Sequence, residues 1–187
     1  MKSKLMLAAA AVAAFALSPM PQAQAQAQSL AGSEVTVGAY CCSAPVASDL
    51  VTNTLTRTVG PDDEFPEGSF MTIMGFQAIP VTIDVGTSTI EFTYSAGGTA
   101  TPGGFNGFVF DFDGAPTITG VSLDGTSTYS PTVTFDENSV FINEAGVTLV
   151  PGSHLLVNIS AVPEPESYAL MLGGLGLLGL MARRRKV

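Results

Sequence analysis

Between about residues 35 and 160, apolar and polar residues alternate with a period of two, the repeat of a strand with one buried face. Ile79, Val81, Ile83 and Val85 alternate with Pro80, Thr82 and Asp84. Ile90, Phe92 and Tyr94 alternate with Thr89, Glu91, Thr93 and Ser95. Phe108, Phe110 and Phe112 share one face, with Val109, Asp111 and Asp113 on the other, and Leu155, Val157 and Ile159 repeat the pattern. Further strands are predicted at Val35–Tyr40, Val51–Val59, Phe70–Met74, Ile118–Leu123, Thr132–Asp136, Val140–Asn143 and Val147–Val150. Gly97-Gly98, Pro102-Gly103-Gly104, Asp113-Gly114, Asp124-Gly125 and Pro151-Gly152 punctuate them as turns. Pro80 lacks a ladder donor and belongs at a strand start or a sheet edge. About ten or eleven short strands without helical periodicity predict an all-β fold: a single antiparallel β-sandwich, jelly-roll-like, over residues 28–160. Its size of about 130 residues is near that of a typical single domain. No fixed-period repeat is present, which disfavours propellers and solenoids.

The two ends follow different rules. Lys2 and Lys4 precede the apolar run Leu5–Leu17, then prolines and the repeat Ala23-Gln24-Ala25-Gln26-Ala27-Gln28. This reads as a secretory signal peptide, residues 1–27, for the Sec machinery and signal peptidase, with cleavage after Ala25 or Ala27. At the other end, Pro163-Glu164-Pro165 is held extended by its two prolines and exposes Glu164. An uncharged apolar run from Tyr168 then leads to Arg183-Arg184-Arg185-Lys186. The span, about 168–182, predicts a short transmembrane helix reaching about 21–24 Å, less than the ~30 Å hydrocarbon core. Local thinning and snorkelling meet such a mismatch, and the basic end stays on the cytoplasmic side.

The three elements of residues 161–187, in order, resemble the PEP-CTERM sorting signal of exported proteins in Gram-negative, exopolysaccharide-producing bacteria. The resemblance implies that a membrane-embedded exosortase recognises Pro163, Glu164 and Pro165 and removes the helix. It implies transient anchorage in the inner membrane, then a cell-surface or extracellular location. Tyr40-Cys41-Cys42, Phe105-Asn106-Gly107, Phe110-Asp111-Phe112 and Gly114–Val121 look like stretches of β-rich ectodomains of PEP-CTERM proteins, and this second resemblance implies no activity.

Charge changes the picture once the ends are set aside. Residues 28–160 hold one base, Arg57, against fourteen acids, formally −13, while the whole chain carries −9. So acidic a domain without lysine is repelled by nucleic acid and anionic lipid, and no nucleic-acid partner is expected. The acidity serves solubility outside the cell, with cation-bridged contact to acidic polysaccharide as the sharper alternative.

Candidate chemistry is sparse. Cys41 and Cys42 are adjacent, and Cα atoms ~3.8 Å apart across a trans peptide fall below the usual disulfide range. A vicinal disulfide, intermolecular bonds and reduced thiols all remain open. Asp111 and Asp113 carry a fragment of a calcium-loop pattern, too little to expect a metal, and a solvent face leading into a turn explains them better. Asp62-Asp63-Glu64 reads as a solvated loop before it reads as a cation site. His154, the only histidine, is opposite in phase to Leu155 and faces solvent. No nucleophile elbow, phosphate loop or metal motif is present, so no enzyme and no cofactor are expected. Two functions fit: a structural or adhesive matrix protein, and a carbohydrate-binding module stacking sugars on Tyr40, Tyr94 and Tyr129, with exopolysaccharide as its candidate partner.

Overall fold

The computed structural model describes residues 29–73, 78–162 and 171–175. Among the described residues, eleven strands form two main antiparallel sheets and a two-stranded ribbon. The first sheet has the order β2-β1-β6-β9-β8, from β1 (Glu34–Cys41), β2 (Leu55–Thr58), β6 (Asn106–Asp113), β8 (Thr132–Phe135) and β9 (Ser139–Asn143). The second has the order β3-β4-β11-β7, from β3 (Val81–Val85), β4 (Thr89–Tyr94), β7 (Thr117–Leu123) and β11 (His154–Val162). β5 (Gly98–Thr99) pairs with β10 (Thr148–Leu149) as the ribbon.

The alternating residues explain why the sheets stack. Val35, Val37, Phe108, Phe110, Phe112, Val140 and Ile142 are buried on the first sheet. Val81, Ile83, Val85, Ile90, Phe92, Leu155, Val157 and Ile159 are buried on the second, and all belong to one core. Phe92 crosses the interface, meeting Phe108 and Phe110 edge-on at 5.3 and 5.8 Å between ring centres. The molecule is therefore a β-sandwich. The chain alternates between sheets at β6, β7 and β8, as in a jelly roll, while β1–β2, β3–β4 and β8–β9 pair within one sheet. A register shift interrupts β11 between Ser160 and Ala161. β3 is an edge strand that starts directly after Pro80, where the missing donor costs nothing.

The region before β3 departs most from the periodic reading. Of the expected strand Val51–Val59 only Leu55–Thr58 forms, and the described part of Phe70–Met74, residues 70–73, is not a strand. Instead the backbone of residues 51–53 bonds that of 71–73 around a single bridge, Thr52 to Thr72, with Ile73 N donating to Val51 O at 2.8 Å. Phe70 is packed against Phe65 and Phe108, whereas Met71 is 68% exposed. One inward aromatic beside an outward Met mimics alternation without a ladder to continue it. Met74 lies outside the described residues, as do the whole predicted signal peptide and Pro163–Pro165. Of the predicted span 168–182, residues 171–175 are described and are helical. Among the described residues no helix is long and apolar enough to cross a membrane.

Candidate functional site

At the end of the sandwich where β1 and β4 finish, the two sheets part over a cavity of about 300 Å³. Ala39, Phe108, Phe70, Ile79, Val51 and Leu149 are among the apolar residues of its wall, and Cys41, Asn106, Tyr94 and Glu144 line it as well. Strand parity brings these groups together. Cys41 faces Asn106 in register on the first sheet, and Glu144 N bonds Asn106 O at 2.7 Å just beyond β9. Tyr94 ends the inward series Ile90, Phe92, Tyr94 on the second sheet.

Glu144 is 4% exposed and belongs to a network of three side chains. The Tyr94 hydroxyl donates to its carboxylate at 2.7 Å to Oε2, and the Tyr129 hydroxyl donates at 2.6 Å to Oε1. The two rings meet edge-on, 6.1 Å between centres. Burial raises the Glu144 carboxyl from its ordinary value to about 7, and the two phenol donors offset only part of that rise. The same burial, with the neighbouring carboxylate, pushes both tyrosines well above the usual phenol range.

Tyr94 and Tyr129 therefore cannot serve as exposed stacking platforms: they are 2% and 9% exposed, their rings fill core and their hydroxyls serve Glu144. Only Tyr40 of the three is half-buried, on the outer face of β1, where burial and the charge of Asp111 raise its hydroxyl. The alternation through Ile90 and Phe92 already places Tyr94 inward. Glu144 likewise follows Val140 and Ile142 at intervals of two, the signal that could have found it, although its neighbours Asn143 and Gly146 read as turn residues.

Cys41 and Cys42 are bonded to each other through sulfur, with Cα atoms 3.1 Å apart across a cis peptide rather than at the trans spacing. Asp49 braces the following loop, accepting from the backbone N–H groups of Ser43 and Ala44 and from the Ser43 hydroxyl. These hydrogen bonds hold its carboxyl below the ordinary range. Gly104 N donates to Cys42 O at 3.0 Å, drawing the Pro102-Gly103-Gly104 turn onto the cysteine pair. A Cβ on Gly103 would run into the Cys42 carbonyl oxygen, a backbone atom with no side-chain freedom to yield. Gly103→Ala is thus expected to cost about 1–3 kcal/mol through overpacking, read as a lower urea midpoint at unchanged m-value. An unchanged midpoint would show that the turn is free to move.

The other candidates stand apart from the cavity. Asp111 and Asp113 are exposed on the outer face of β6. Asp62 and Asp63 are exposed, but Glu64 is turned inward, where its carboxylate accepts from Gly60 N and Val85 N at 2.7 Å each. It staples its loop to β3, a role no local pattern announces. Among the described residues no three metal-ligating side chains gather. His154 Nε2 lies 3.0 Å from Glu91 Oε1, partly exposed on the outer face of the second sheet.

Beyond the sandwich, the family profile of the PEP-CTERM protein-sorting motif matches residues 161–186. No curated protein and no solved structure matches the chain. The matched segment covers the proline-flanked Glu164, the apolar run and the basic cluster, and no part of the cavity. The chain carries the PEP-CTERM sorting signal, which marks it as an exported, exosortase-targeted protein with a surface or extracellular destination.

Proposed function

We propose that the chain delivers an acidic β-sandwich to the surface or extracellular matrix of an exopolysaccharide-producing Gram-negative cell, where it acts as a structural or adhesive protein and not as an enzyme. The sorting signal at residues 161–186 is the observation that carries this reading. In it, residues 1–27 direct Sec export and are removed by signal peptidase, and residues 28–160 are the delivered domain. The helix about 168–182 holds the chain in the inner membrane until the exosortase acts at the segment headed by Pro163, Glu164 and Pro165. A structural role requires no further chemistry of the sandwich, whose two sheets are joined by apolar side chains and whose surface is acidic enough to remain dispersed. The carbohydrate-binding alternative has less support, because two of its three stacking rings are core residues.

Glu164→Ala is expected to leave the C-terminal segment attached. Deletion of the host exosortase should do the same. Intact mass of the exported protein reads this directly, along with the N-terminal cut and the hydrogens lost in a Cys41–Cys42 disulfide. Unchanged processing in both strains would overturn the sorting assignment. A glycan-array signal lost in Tyr40→Ala would overturn the structural reading and favour the carbohydrate-binding one.

A further inference from the structure

The cavity between the sheets combines an apolar wall with one buried carboxylate that no basic group accompanies among the described residues. Arg57 is the sole Lys or Arg in residues 28–160. It sits opposite Val35, at the far end of β1 from Cys41, and its guanidinium donates to Thr56 O at 2.9 Å. Six residues of strand put it roughly 20 Å from the cavity end of β1. His154 is occupied by Glu91 on the outer face. The partners of Glu144 are two neutral phenols, which donate hydrogen bonds but supply no positive charge. A buried carboxylate without a counter-ion is costly, and a cation brought by a ligand would remove that cost. Glu67, the other acid on the wall, is exposed and adds to the attraction for a positive group.

We propose that this cavity binds a small organic amine, its apolar body against Phe70, Phe108 and Ile79 and its ammonium group on the Glu144 carboxylate. The volume is at the lower end of small-ligand sites and suits a single ring or short alkyl chain. Tyr94 and Tyr129 are positioning residues: their hydroxyls fix the carboxylate and leave its remaining acceptor capacity for the ligand. The cost of the buried charge is then met from outside the chain. Since the site lies wholly within the sandwich, it stands or falls independently of the sorting signal.

Isothermal titration of the exported protein with benzylamine and hexylamine, beside benzyl alcohol and hexanol, tests the proposal. At pH 8 the amines should bind at least about tenfold more tightly than the alcohols of the same skeleton. Glu144→Gln keeps the shape of the side chain and an acceptor oxygen, and should abolish that preference. Ala39→Leu fills the cavity from the first sheet without touching Glu144, and should weaken amines and alcohols alike. Lowering the pH to 5.5 protonates Glu144 and should reduce amine affinity about tenfold while leaving the alcohols unchanged. Tyr94 and Tyr129, which hydrogen-bond this carboxyl, stay neutral throughout that range, and Glu67 is the other ionisable side chain on the cavity wall. Amine binding equal to alcohol binding, a preference that survives Glu144→Gln, or no saturable heat with either series would each overturn the proposal.

Discussion

Phe92→Ala is expected to destabilise the sandwich by about 3–5 kcal/mol, the range for removing a fully buried aromatic side chain. Its ring is inaccessible to solvent and is the point where the second sheet reaches the first, against both Phe108 and Phe110. Removal forfeits the transfer energy of the ring and leaves a void bounded by two sheets. The neighbouring ladders, Val81 to Tyr94 on one side and His154 to Thr93 on the other, hinder its collapse. Against a total stability of about 5–15 kcal/mol for a domain, such a loss is a large fraction of the whole. Phe92→Leu retains most of the apolar volume and should cost about 1.5 kcal/mol or less once neighbours repack. Urea unfolding of the two variants separates these outcomes. A Phe92→Ala cost below about 1 kcal/mol would mean that the core does not depend on this crossing, contrary to its geometry.

The strands that make this core were the most legible part of the chain. Where both sheets contribute one buried face, a period of two is enforced along every strand, as at Val81-Ile83-Val85 and Phe108-Phe110-Phe112. Phe70 shows where the inference stops. An inward aromatic flanked by polar and exposed neighbours has the same local pattern whether it lies in a ladder or in a loop folded over the cavity, and only distant partners such as Phe65 and Phe108 decide. Tyr94 failed for a different reason. Its parity pointed inward, but its hydroxyl made it look like a surface residue until Glu144, fifty positions away in sequence, supplied a buried acceptor. Glu64 shows the general difficulty: a carboxylate in a loop is read as solvated, and nothing local shows that it will be enclosed, whereas Glu144 at least continues the inward parity of Val140 and Ile142. The sorting signal, by contrast, is contiguous and needs no fold to be recognised.

The enclosed Glu144 carboxyl makes the domain more stable in mild acid than at neutral pH. Glu144 titrates near pH 7 in the folded chain because of its burial, well above its ordinary value. Between the two values the folded state holds a proton that the unfolded chain has released. Stability is therefore fully present below the ordinary carboxylate range, falls as pH rises through the window, and levels off above 7. A shift of this size corresponds to about 3 kcal/mol at most. Asp84 acts with the same sign: burial first, then the Glu64 charge, raise it to about 6, but its exposure to solvent reduces the effect to a fraction of that. Asp49 and Asp124 have the opposite sign, being held low by hydrogen bonds, so their contribution disappears only as pH falls below the ordinary carboxylate range. The optimum consequently lies at about pH 4–5, between the two sets of groups. Repulsion among the fourteen acids of residues 28–160 grows with pH and acts in the same direction as Glu144. The melting temperature at pH 5 should exceed that at pH 8 by roughly 8–12 °C at this chain size. In Glu144→Gln most of that difference should vanish, through a gain at pH 8 and not a loss at pH 5. A melting temperature that climbs from pH 5 to pH 8 would mean that Glu144 is ionised and satisfied in the folded chain, and that its two tyrosines alone compensate its charge.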